Sequence, residues 1–156
     1  MPGGLDPLTV GPLMTPLDDR SRFVRMRVAA DALSAHRIRV EFRNWLDRHF
    51  TLGAERFSDL VLAVSEALAN AAEFAYTDTP GPGTMDVNAA YDASSDTLAV
   101  TVRDRGRWRQ RAGTRDLTRG RGIPLMRVLA DEADIDGTPQ GTQVTLKWKR
   151  LTAPAH

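Results

Sequence analysis

The stretch Leu60–Tyr76, LVLAVSEALANAAEFAY, constrains the fold more than any other part of the chain. It is rich in Ala, Leu and Val and contains neither Gly nor Pro, so propensity and length both predict a helix. At about 100° per residue, Leu60, Val64, Ala67, Leu68, Ala71 and Ala75 form one apolar stripe. Glu66, Asn70 and Glu73 fall together on a different face, with Asp59 one turn earlier. Only Ser65, Glu66, Asn70 and Glu73 interrupt an otherwise small or apolar surface, the pattern of a helix covered on most sides. A carboxylate and a carboxamide one turn apart on such a helix need partners, because an unpaired buried charge is costly. One reading makes them a solvated polar face. The other makes Glu66 a general base and Asn70 an oxygen ligand for Mg²⁺, and features further along the chain bear on the choice.

A chain of 156 residues is long enough for one domain with a real core. Its net charge of +1 implies no general attraction to nucleic acid or membrane. The absence of cysteine excludes disulfides and thiolate metal sites, and His36, His49 and His156 are too scattered for a zinc cluster. No apolar run approaches the roughly 20 residues of a spanning helix. The N-terminus lacks the basic-then-apolar order of a signal peptide, so a cytoplasmic location is expected.

Residues 1–20 hold four of the nine prolines without periodicity, and residues 1–20 and 151–156 are expected to be tails around a domain at 21–150. Phe23-Val24-Arg25-Met26-Arg27-Val28 alternates, which predicts a strand with Val24, Met26 and Val28 on one face. Asp31 can cap a helix running to about Phe50, with Ala35, Ile38, Phe42, Trp45, Leu46 and His49 as its stripe. Thr51-Leu52-Gly53 breaks the chain before the central helix, and DTPGPGT at 78–84 ends that helix. Two strands follow, one with Met85, Val87, Ala89 and Tyr91 on a face and one with Leu98, Val100 and Val102, joined by YDASSD. Asp104 shares the parity of Leu98, Val100 and Val102, so it ends a core-facing row. A polar, Arg-rich loop spans 105–119, longer than most connections and of a length that is usually functional or mobile. GRGIPLMRVLADEAD at 120–134 then predicts a helix, with Pro124 in its first turn. Gly141 opens the last strand, where Thr142, Val144, Leu146 and Trp148 share a face. Together these elements predict an α+β fold, a two-layer sandwich with helices on one face of a mixed, mostly antiparallel sheet.

Four features recur in order: Glu66-x-x-x-Asn70 on the central helix, Asp104-x-Gly106 at a strand end, Gly120-x-Gly122 at a helix start, and Gly141-Thr142. Each glycine pair alone reads as an ordinary turn. As a set they suit an ATP site. A carboxylate accepts a hydrogen bond from the exocyclic amine of adenine and repels the oxygen guanine carries there. Glycines before a helix let N–H groups and the helix dipole receive phosphate. Mg²⁺ prefers oxygen ligands and keeps much of its water, so one Asn plus phosphate oxygens can hold it. Neither a GxxxxGK[ST] loop nor the protein-kinase HRD and DFG set is present.

From about Arg22 to Arg150 the order and spacing resemble the GHKL superfamily of ATPases, and more closely the bacterial anti-sigma factor serine kinases. SEALANAAEFAY is similar to the family's N-box, DRGRW to its adenine-binding box, GRGIPLMRVLADE to its second glycine box, and GTQVTLKWK to its closing strand. Any one box is weak; the combination is specific. The resemblance implies Glu66 as general base and Asn70 as the Mg²⁺ ligand. It implies Asp104 and Gly106 at adenine, Gly120 and Gly122 at the phosphates, and Thr142 near the base. The segment between the glycine boxes corresponds to the family's ATP lid, whose Arg115, Arg119 and Arg121 are the arginines best placed to neutralise charge on the γ-phosphate. Trp108 stands where many members have a second glycine, and Phe74 where close relatives often have His.

The function implied is that of an ATP- and Mg²⁺-dependent anti-sigma factor with serine/threonine kinase activity toward a STAS-domain anti-anti-sigma partner. The expected assembly is a homodimer that binds a sigma factor, with no direct nucleic-acid or membrane partner. Two alternatives stand beside it. One is an ATP-dependent sigma-binding or signalling scaffold without turnover. The other is a nucleic-acid module, suggested by eight of the 21 basic residues lying between Arg103 and Arg121 around Trp108. Asp104 in the middle opposes a polyanion.

Overall fold

Asp31 starts the first helix as expected: its carboxylate accepts the Ser34 N–H at 2.8 Å, satisfying a donor the first turn leaves orphaned. The computed structural model describes residues 18–77, 83–105, 122–138 and 141–153. In chain order these form β1 (Arg22–Ala29), α1 (Ala32–His49), α2 (Ala54–Thr77), β2 (Thr84–Asp92), β3 (Thr97–Asp104), α3 (Gly122–Leu129), β4 (Glu132–Thr138) and β5 (Gly141–Trp148). The five strands make one sheet in the order β1-β2-β3-β5-β4, and every pairing is antiparallel.

Side-chain alternation then sorts the strands. Met85, Val87, Ala89 and Tyr91 of β2, Leu98, Val100 and Val102 of β3, and Val144, Leu146 and Trp148 of β5 are all buried. They meet Leu60, Ala63, Val64, Ala67, Leu68, Ala71 and Ala72 of α2 and the Ile38, Phe42, Trp45 and Leu46 stripe of α1 in one core. This is an α+β sandwich with its helices on one face of an open antiparallel sheet.

Two expectations are corrected. In β1 the inward residue is Phe23, whereas Met26 is 56% exposed. The register shifts between Arg25 and Val28, and Arg27 takes a left-handed φ of 53°; such a bulge re-aims every side chain beyond it. The helix expected over 120–134 stops at Leu129, and a strand, β4, follows at Glu132–Thr138. Trp148 Nε1 donates to the Leu129 carbonyl at 3.0 Å, and the Asp131 N–H donates to Lys147 O at 2.9 Å. These bonds end the helix and hand the chain to the sheet edge. Contacts of the fold also involve residues outside 21–150. Arg25 pairs with Asp18, Trp45 Nε1 donates to Asp19 O at 2.7 Å, and Leu151 is buried in the core. Residues 1–17 and 154–156 of the expected tails lie outside the described residues.

The β2–β3 hairpin carries the anchor for that C-terminal extension. Asp96, at a left-handed φ of 52°, accepts the Tyr91 hydroxyl at 2.6 Å and both the N–H and the hydroxyl of Thr152. Burial pushes its carboxyl up, but these hydrogen bonds, that of Tyr91 foremost, outweigh it and hold Asp96 below its ordinary 3.8. A carboxylate depressed on folding adds stability above the ordinary value and loses it as pH falls through the folded one. Asp96→Asn is therefore expected to cost about 1–2 kcal/mol at pH 7, roughly 2–8 °C in unfolding midpoint. The gap to wild type should narrow as pH drops below the ordinary aspartate value. Thermal melts of both proteins across that window check it, and a gap that stays constant would refute the assignment.

Candidate functional site

Strand parity does the first work of building a site. Asp104 closes the inward row of β3 and is only 3% exposed. In an all-apolar row a carboxylate would have to be neutralised or hydrogen-bonded, and here the neighbouring strand supplies a donor. The Thr142 N–H reaches Asp104 Oδ1 at 3.3 Å. The residue before it, Gly141, has a φ of 149°. A Cβ there would sit 2.0 Å from the Asp104 carbonyl oxygen and 3.0 Å from Oδ1. No side chain fits, so the Gly is required by close approach as well as by conformation. Beside the carboxylate, the Thr142 hydroxyl is buried and has no hydrogen-bond partner. Orphaned buried hydroxyls are uncommon and ask for a reason. Arg56 Nε and Asn88 Oδ1 are the other such atoms among the described residues, and only that of Thr142 adjoins Asp104.

Arg56 donates to the Lys149 carbonyl at 2.6 Å, so the start of α2 is anchored beside the end where Leu98 pairs with Trp148. A helix rises about 1.5 Å per residue, which puts Asn70 roughly 21 Å farther along α2. A strand advances about 3.4 Å per residue, which puts Asp104 roughly 20 Å beyond Leu98. α2 packs on both β3 and β5, and the two lengths match. Glu66 precedes Asn70 by one turn on the same flank, and both side chains are half-buried. The bonds to Leu129 and Lys147 hold the C-terminus of α3 at the Trp148 end, and Gly122 is its first residue. A helix start offers free N–H donors and the positive end of its dipole.

Of the expected site residues, the pairing of β3 with β5 brings Asp104 and Thr142 together; Glu66 and Asn70 lie one turn apart on α2, and Gly122 is the first residue of α3. Gly106, Arg115, Arg119, Gly120 and Arg121 lie outside the described residues, as does Trp108. Sequence reasoning missed Asp86 and Arg105, an ion pair just behind Asp104. The signal available was weak: a lone aspartate in an outward position of a strand reads as solvated. Among the described residues no group of three His, Cys, Asp or Glu is arranged to hold a metal ion, and no helix is long and apolar enough to cross a membrane.

A family model described as a histidine kinase-like ATPase domain matches residues 28–148. Among solved structures, the chain is similar to the RsbU and RsbW domains of Rv1364c from Mycobacterium tuberculosis. That likeness has a TM-score of 0.66 and 27% identity, over 86% of this chain and 34% of that one. The chain is also similar to the blue-light activated histidine kinase of Erythrobacter litoralis EL346, with a TM-score of 0.50 and 26% identity, over 62% of this chain and 31% of that one. It thus spans about a third of the length of each. No curated protein matches it.

Proposed function

Because the chain belongs to the histidine kinase-like ATPase domain family, we propose that it is an ATP-binding anti-sigma factor that phosphorylates a serine or threonine of a STAS-domain partner. The single observation that carries the nucleotide reading is the cradle of Asp104, Gly141 and Thr142, a buried carboxylate beside an unpartnered hydroxyl where no Cβ fits. That donor set suits adenine. Asp104 accepts from the exocyclic amine, the Thr142 hydroxyl gains the partner it lacks, and Gly141 keeps the floor of the pocket low. The likeness to a structure containing an RsbW domain supports the anti-sigma branch of the family.

Mg-ATP, when bound, supplies the phosphoryl group that passes to the partner's hydroxyl as ADP leaves. This chain's residues do the rest. Glu66 orients the hydroxyl and takes its proton. Asn70 provides an oxygen ligand for Mg²⁺. Gly122 and, before it, Gly120 offer backbone donors for phosphate. Arg115, Arg119 and Arg121 balance charge on the γ-phosphate, and Gly106 leaves room at the base. Sigma-factor binding and a homodimer complete the proposal.

The test is an assay of labelled ATP and Mg²⁺ with this protein and candidate STAS-domain proteins, scored for phosphoserine. ATP binding without transfer to any partner would favour the non-turning-over scaffold. At the adenine end, Asp104→Asn should weaken ATP about 10- to 100-fold, the range for a lost hydrogen bond to a charged group. Thr142→Val should weaken it by less, because its hydroxyl is a neutral partner. Isothermal titration measures both, and unchanged affinity in Asp104→Asn would dismiss the adenine assignment.

A further inference from the structure

Behind the adenine cradle, on the sheet face away from the helices, lies a second buried carboxylate. Asp86 follows Met85 in β2, and the two point to opposite faces. Met85 pairs with Asp104 across the strands, and Asp86 pairs with Arg103. Asp86 is buried although it lies outside the core. One oxygen accepts the N–H of Arg27, the left-handed residue of the β1 bulge, at 2.7 Å. The other accepts the guanidinium of Arg105, the residue directly after Asp104. The Arg105 N–H is also held, by Thr84 O at 2.9 Å.

We propose that Asp86 is a positioning residue for nucleotide binding, holding through Arg105 the strand end that aims Asp104 at adenine. This inference rests on the nucleotide reading of the site. Its logic is mechanical. Gly141 and Thr142 grip Asp104 from the β5 side. Nothing equivalent is needed on the β2 side merely to finish a strand, since the main-chain bond from Arg105 to Thr84 already does so. A buried carboxylate with a cationic partner is an expensive way to end a ladder. It is a good way to immobilise the next residue, because a charge-assisted pair is short and directional. Recognition of one amine requires the acceptor to be held within about 0.5 Å of its working place. With β5 on one side and the Asp86–Arg105 clip on the other, Asp104 is held from both.

Two single variants and their double test the clip. Asp86→Asn keeps an acceptor for the Arg27 N–H and nearly the same volume but loses the charge. Arg105→Gln removes the partner at a more exposed position. Each is expected to weaken ATP about tenfold, the size of one lost charge-assisted bond, and the double no more than either alone. Affinity for inorganic tripolyphosphate, which has no base, should not change, and this separates positioning of Asp104 from general loosening. Unchanged ATP affinity in both singles, additive losses in the double, or an equal loss of tripolyphosphate overturns the role. Wild-type protein that takes up no ATP overturns the nucleotide reading itself. Hydrogen exchange without nucleotide separates the two failures: faster exchange at the Arg105 and Thr142 amides in Asp86→Asn shows the clip independently of any ligand, and unchanged exchange there removes it.

Discussion

Glu66→Gln should leave ATP affinity within about a factor of two and lower phosphoryl transfer by about 10²- to 10⁴-fold, the usual share of a general base. The substitution keeps the size and hydrogen-bonding reach of the side chain and deletes only its ability to take a proton. The geometry makes the separation sharp. Glu66 sits one helical turn from Asn70, half-buried at the margin of α2, while the carboxylate proposed to read the base is Asp104, on another element. Removing the proton acceptor therefore leaves the adenine cradle intact. Transfer to a STAS-domain serine, followed with labelled ATP under saturating nucleotide, gives the rate; titration of the same protein gives the affinity. A parallel loss of both would mean that Glu66 holds the site together, and its role as a base would have to be abandoned.

The second large effect is expected at Gly141. In Gly141→Ala the new methyl would lie 2.0 Å from the Asp104 carbonyl oxygen and 2.9 Å from its carbonyl carbon, and the backbone would have to keep a φ of 149°. Neither obstacle can be relieved by turning a side chain, because the colliding atoms are the backbone of β3. Strain and overpacking of this kind cost about 2–5 kcal/mol, or roughly 5–15 °C in unfolding midpoint. Any relief must push β5 from β3 exactly where Thr142 meets Asp104, so ATP affinity should fall at least about tenfold, as for one lost charge-assisted bond. Gly53→Ala is the internal control. A Cβ at Gly53 meets nothing within 4 Å, and both stability and ATP binding should stay close to wild type. Calorimetry and nucleotide titration on the two variants decide the matter: a Gly141→Ala protein that melts and binds like wild type would show that the close approach has no consequence.

Much of this was legible in the amino-acid order. The apolar stripes of α1 and α2 and the period-two rows of β2, β3 and β5 mark their buried faces directly, because burial of a repeating face is what selects the repeat. Asp104 was found the same way, as a polar residue in an inward row, and its burial matches that parity. β4 was not legible. Its sequence EADIDGT opens with Glu and Ala, which suit a helix, and holds Asp and Gly, which favour neither helix nor strand, and only Ala133 and Ile135 turn toward the core. What makes it a strand is an open edge of β5 offering unpaired backbone groups, a feature of the assembled sheet. The bulge in β1 was hidden for a related reason, since Arg27 is held left-handed by Asp86, far away in the chain.

By itself, then, the sequence determined which residues face the core, where the long helices run and which polar residues interrupt their rows, because these follow from local period and from the cost of exposing apolar surface. Tertiary structure alone decided which of those interruptions meet. The contact between Thr142 and Asp104, the missing room at Gly141 and the Asp86–Arg105 clip exist only because β5 lies beside β3 and β2 beside both β3 and the bulge of β1. Strand order is set by the packing of the whole sheet, and no window of the chain contains it.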